Sequence, residues 1–231
     1  MYNFFYIFAL FIIYSFIGWI VDVCDVIYES GKVVNRGFLI GPICPIYGVG
    51  ILLMINLLKN YTSSPLVLFI LAIFIFMTLE YFTSYIMEKL FNARWWDYSD
   101  KLLNLNGRIC LETTIPFGLG GLLVMYIVNP FVTTNLSKIN HNLLIIISLI
   151  IFVIFIIDLC VSFSVITKLK KIALSKFKSK DDTEEINIKV KEYLKKLSPL
   201  MKRLMESFPN ARIKIKNIKN NIENKVNKKN K

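Results

Sequence analysis

Six charged side chains fall where an otherwise apolar chain tolerates charge poorly. Asp22, Glu80, Glu112 and Asp158 lie inside or at the edge of long uncharged runs, and Arg36 and Arg108 lie close to where such runs begin. A carboxylate in hydrocarbon is expensive, so acids within spans face the protein interior or a water-filled space. At 1.5 Å of rise per residue, Glu80 sits roughly 13 Å in from Lys89 and Asp158 roughly 15 Å in from Lys168. Asp22 has a comparable depth from Lys32, and Glu112 is shallower. Two readings stand side by side. The acids pair with Arg36 or Arg108, or stay protonated, as structural glue; or they form the polar wall of a cavity open to the cytoplasm. Cationic lips over acidic depth would suit a zwitterion, a phosphate-bearing headgroup, or a cation moving past a guarding arginine.

Two polar segments carry the rest of the chemistry. Residues 35–48 read NRGFLIGPICPIYG, and residues 94–108 read RWWDYSDKLLNLNGR. In the first, Asn35 and Tyr47 join Arg36 as cavity candidates, while Gly37, Gly41 and Gly48 permit close backbone approach. Pro42 and Pro45 mark a helix entry, because the missing proline N–H has no helical partner in a first turn anyway. Helix amino ends leave N–H groups that favour anions. In the second segment Asp97 is a further candidate. Trp95, Trp96 and Tyr98, together with Trp19, read as anchors at the headgroup level or as surfaces on which a ligand stacks.

The elements that must position these residues are membrane helices. Of 231 residues, 55% are hydrophobic, and the mean hydropathy is +0.54, too apolar for an ordinary soluble domain. Uncharged runs cover 4–21, 41–58, 65–79, 113–129 and 143–157. A hydrocarbon core of ~30 Å needs about 20 residues per span. The expected fold is therefore an all-α integral membrane protein, a five-helix transmembrane bundle over about 4–28, 41–58, 65–89, 107–129 and 143–167. Lys and Arg collect in the first and third loops and in the tail, which places the N-terminus out and the C-terminus in. No basic residue precedes the first apolar run, so a retained first span is expected rather than a cleaved signal peptide.

The charge is lopsided. Residues 168–231 hold 20 of the 28 Lys and Arg but 7 of the 16 Asp and Glu, a tail of +13 against −1 for residues 1–167. Within this basic cytoplasmic tail, Ile186, Val190, Tyr193, Leu194 and Leu197 recur at helical spacing, Pro199 and Pro209 interrupt, and Ala211, Ile215, Ile218, Ile222 and Val226 form a second stripe. Basic amphipathic helices suit anionic lipid or a protein partner, and nucleic acid is disfavoured for want of stacking aromatics. Cys24, Cys44, Cys110 and Cys160 show no C-x-x-C spacing, and the single His141 lies in an outer loop, so no metal site is expected. No phosphate-binding P-loop occurs, and no cofactor is expected.

Gly18-Trp19 followed by an acid, the 35–48 segment, Glu80-Tyr81, Glu88-Lys89, and Trp95-Trp96-Asp97-Tyr98-Ser99 with Asn104 and Gly107 together resemble a bacterial family of ABC-transporter type IV permeases. The resemblance covers about residues 4–130. Where the family usually carries Glu after Gly-Trp-x-x, this chain has Asp22, a shorter reach. The resemblance implies a multi-pass protein of the bacterial cytoplasmic membrane that borrows ATP hydrolysis from a separate ATPase subunit, with residues 91–106 as the element touching that motor. A five-span bundle is narrow, which favours a homo-oligomer. Two other functions remain open: a membrane scaffold or regulator acting through its basic tail, and an inner-leaflet enzyme acting on lipid headgroups. The latter lacks any visible nucleophile–base pair.

Overall fold

The computed structural model describes residues 2–176, 184–208 and 211–213. It is mostly helical: α1 (Tyr2–Ser30), α2 (Pro45–Leu58), α3 (Pro65–Phe91), α4 (Leu111–Leu123), α5 (Asn129–Leu136), α6 (His141–Lys176), α7 (Glu184–Leu197) and α8 (Pro199–Ser207). Two two-residue strands, β1 (Ala93–Arg94) and β2 (Arg212–Ile213), pair antiparallel. The chain divides into two compact units, Met1–Phe82 with Tyr98–Cys160, and Thr83–Asp97 with Val161–Lys231.

Among the described residues four helices are long and apolar enough to cross a membrane: Asn3–Tyr28, Pro65–Phe91, Leu111–Leu136 and His141–Ala173. The third is continuous through a π-helical turn, Val124–Val128, that joins α4 to α5. Pro130 follows at once, and a proline inside a helix removes one hydrogen bond and clashes with the carbonyl four residues back. A wider turn just before it absorbs both effects. Large apolar side chains face outward, Phe74 being 70% exposed and Phe131 69%. Lipid, not water, suits such surfaces.

The expected helix over 41–58 is shorter than the sequence implied. α2 opens at Pro45, so Pro42 lies outside it, and its 14 residues cover roughly 21 Å at the usual helical rise. The reason lies upstream. The amides of Ile40 and Gly41 donate to the Asp158 carboxylate at 2.9 and 2.8 Å, which holds residues 35–44 off a helical path.

In the first unit, Leu10 and Tyr14 of α1, Ile51 and Met54 of α2, Ala72 and Phe76 of α3, Met125 and Leu144 form one buried cluster. Helices in lipid gain little from hydrophobic burial against each other and depend on close packing. Gly48 shows this: a Cβ there would stand 2.2 Å from Ser15 Oγ and 2.6 Å from the Phe11 carbonyl oxygen. Gly18 makes matching room in α1, since a Cβ would stand 2.2 Å from the Tyr47 ring. Tyr14 adds a polar tie, donating its hydroxyl to Asn129 Oδ1 at 2.8 Å.

The second unit encloses the start of the double-tryptophan segment. Ala93 pairs with Ile213 and Arg94 with Arg212. Trp95, 3% exposed, packs edge-on against Phe208 with ring centroids 5.2 Å apart. Phe91 meets Phe163 in the same manner, and Lys170 Nζ donates to the Leu90 carbonyl, one of the last carbonyls of α3, at 3.0 Å. Pro199 ends one tail helix and begins the next, at the position where proline is tolerated. Val190 and Leu194 of α7 and Met201, Leu204 and Met205 of α8 are buried. Of the second stripe expected in the tail, Ala211 is buried, while Ile215, Ile218, Ile222 and Val226 lie outside the described residues.

Candidate functional site

The site grows from α1. Asp22 follows Gly18 by one helical turn, and Gly18 lets the Tyr47 ring lie against that turn. Tyr47 sits in the first turn of α2, and its hydroxyl donates to Asp22 Oδ1 at 2.5 Å. Cys44, at the cap position of α2, brings its thiol to 3.5 Å from Asp22 Oδ2. Both carboxylate oxygens of Asp22 are therefore met by the entry to α2.

Glu80 of α3 is the second acid. It is 7% exposed, and the Tyr98 hydroxyl donates to its Oε1 at 3.3 Å. Its other oxygen, Oε2, is buried without any hydrogen-bond partner. Glu80 interacts electrostatically with Asp22 and with Tyr47. Tyr98 stands in the segment between α3 and α4. Burial first, and Glu80 beside it second, push its hydroxyl well above the ordinary tyrosine range, so it remains a donor throughout physiological pH. The field of Arg36 reaches both Asp22 and Tyr98. Its guanidinium also bonds Asp25 at 3.1 Å, an exposed pair of small energetic weight.

A second set of contacts fixes residues 35–44 above α2. Asn35 Oδ1 accepts from Trp19 Nε1 and from the Gly37 amide, both at 2.9 Å, and Asn35 Nδ2 donates to the Ile40 carbonyl at 2.9 Å. Asp158 of α6 closes the set, its carboxylate accepting from the backbone amides of Ile40 and Gly41. Asp158 thus acts as a backbone clamp, and Trp19 as a donor to the Asn35 side chain.

Other candidates make different contacts. Arg108 is buried with its guanidinium 5.6 Å from the centroid of the Tyr81 ring, whose hydroxyl accepts from Asn106 Nδ2 at 3.0 Å. Glu112 bonds the exposed Lys101 at 2.8 Å. Asp97 pairs with Arg94 in the second unit, where Trp95 is buried and Trp96 half-buried. Trp95 therefore packs inward, because Phe208, far along the chain, supplies its ring partner. Cys44, Tyr81 and Ser15 are not among the cavity candidates that the sequence offers, although Tyr81 belongs to the Glu80-Tyr81 motif. Cys44 precedes Tyr47 by three residues, the helical phase that could have marked it. Ser15, whose buried Oγ has no partner, gave no such signal.

Two carboxyl groups, each held by a tyrosine hydroxyl, can accept protons or attract a cation. Among the described residues, no group of three or more His, Cys, Asp or Glu is placed to hold a metal ion. The profile of a family described as "Putative ABC-transporter type IV" matches residues 9–163. No curated protein and no solved structure matches the chain.

Proposed function

This chain belongs to the "Putative ABC-transporter type IV" family, and from that premise we propose that it is the membrane-embedded permease subunit of a transporter, with a polar path that passes Asp22 and Glu80. Four helices of spanning length together with that family mark a multi-pass membrane protein. In the finer reading, α2 is a fifth crossing, and residues 35–44 supply the irregular backbone that membranes tolerate only inside protein. The N-terminus lies outside, the basic tail lies in the bacterial cytoplasm beside anionic lipid, and a separate ATPase subunit supplies the energy. A homo-oligomer widens the path.

The observation that carries this reading is the buried Glu80, set near Asp22 and lacking a partner at one oxygen. An unsatisfied buried acceptor costs about 1–3 kcal/mol, and a membrane helix retains such a group for use more readily than for stability. The test is flux in proteoliposomes, with and without candidate ATPase partners. Glu80→Gln and Asp22→Asn are expected to cut flux at least about tenfold, a barrier change near 1.4 kcal/mol. The reading fails if wild-type protein moves nothing across a broad substrate panel. Orientation is checked separately: cysteines placed in 35–48 and 94–108 should resist an impermeant thiol reagent added outside.

A second reading, a regulator acting through the tail, draws support from the β1–β2 pairing and the Trp95–Phe208 contact. Removing residues 177–231 would then abolish regulation while leaving flux through the first unit intact.

A further inference from the structure

We infer that Glu80 is a proton-carrying site, taking a proton onto Oε2 from the aqueous side and returning it during the working cycle of the protein. The inference deepens the transporter reading by naming the ion, and it rests on that reading only for its purpose.

The geometry favours a proton over a metal cation. A proton needs one lone pair, whereas a hard cation collects six or more oxygen ligands. Here a single oxygen is open. Glu80 Oε1 accepts from Tyr98, Asp22 Oδ1 accepts from Tyr47, and Asp22 Oδ2 faces the Cys44 thiol. Of these four carboxyl oxygens, Oε2 is the one buried without a hydrogen-bond partner among the described residues. The groups that bear on it are Asp22 from α1, Tyr47 from the head of α2 and Tyr98 from the segment before α4, with Arg36 acting on Asp22 and Tyr98. Among the described residues no Lys or Arg forms an ion pair with Glu80. A buried charge without a paired cation is costly, and one proton removes that cost. In the balanced step, Glu80 carboxylate and hydronium become the carboxylic acid and water, and release reverses it.

The experiment uses full-length protein in detergent and the reagent dicyclohexylcarbodiimide, which reacts with protonated carboxyls in apolar surroundings. Peptide mass spectrometry locates the adduct. The expected result is labelling at Glu80 that falls about tenfold for each pH unit above its midpoint, is unmoved by added sodium or potassium, and disappears in Glu80→Gln. Should Glu80→Gln fail to elute as a folded species, Glu80→Asp takes its place and retains label at position 80. Labelling that stays constant into alkaline pH overturns the inference, because the acid then never releases its proton. Protection by sodium or potassium overturns it in favour of a metal cation, and absence of adduct at Glu80 overturns it outright. None of these outcomes requires flux, so a failed transport assay with pH-dependent labelling would sink the permease reading and leave the proton site standing.

Discussion

Each of the two units buries acidic side chains, and they treat them oppositely. In the second unit Arg94 bonds Glu88 at 3.1 Å and Asp97 at 3.3 Å, and all three side chains are 15% exposed or less. In the first unit Asp22 and Glu80 receive hydroxyl groups and a thiol, and Glu80 keeps one oxygen bare. A guanidinium between two carboxylates meets each through a separate N–H and offsets part of their charge. Tyrosine hydroxyls position a carboxyl without fixing its charge. The first arrangement builds structure; the second leaves an acid free to change its protonation state.

That contrast can be broken most sharply at Arg94. Arg94→Met removes a half-buried guanidinium bonded to two carboxylates and is expected to cost about 3 kcal/mol, read as a drop in thermal stability in detergent. A loss below about 0.5 kcal/mol would mean that the triad is no more compensated than the Asp22–Glu80 pair. Asp158→Asn comes next. It keeps one acceptor of the two that hold Ile40 and Gly41, and should cost about 1–2 kcal/mol, with faster amide exchange across residues 35–44. Tyr98→Phe removes the donor to Glu80 and carries a pH signature. Because the folded hydroxyl titrates above its unfolded value, its contribution is intact below about pH 10 and is lost as pH rises beyond that. The variant should lose less stability than wild type on going strongly alkaline, and an unchanged alkaline limb would refute the burial of that hydroxyl. Glu80→Gln should move stability by less than about 1 kcal/mol while removing carbodiimide labelling, the opposite of Arg94→Met. Asp25→Asn, touching an exposed pair, should shift the melting point by the equivalent of about 0.3 kcal/mol or nothing.

Much of the architecture was legible because apolar runs and helix breakers are local signals. The four long helices follow the runs, and Glu80 and Asp22 stood out as charges within them. Tyr47 and Tyr98 are also visible as candidates, although their roles as donors to particular carboxyls depend on which helices touch. What escaped is long-range. Asp158 reads in sequence as one more deep acid, and only its contact with the amides of Ile40 and Gly41, 118 and 117 residues away, makes it a clamp. Trp95 reads in sequence as a headgroup anchor or a stacking surface, and its burial against Phe208 rests on a contact far along the chain. Arg108 reads in sequence as a lip over the acids, and its placement over Tyr81, the neighbour of Glu80 in sequence, is one that no periodicity argument supplies.

The hollow at Gly18 ties heredity at one position to another. Any side chain there collides with the Tyr47 ring, and that ring carries the hydroxyl that meets Asp22. Substitution at 18 is thus tolerated only with a slimmer residue at 47, which discards the donor. Covariation among relatives should couple the two sites, and suppressors of Gly18→Ala selected for restored abundance should arise at 47 yet stay defective in activity.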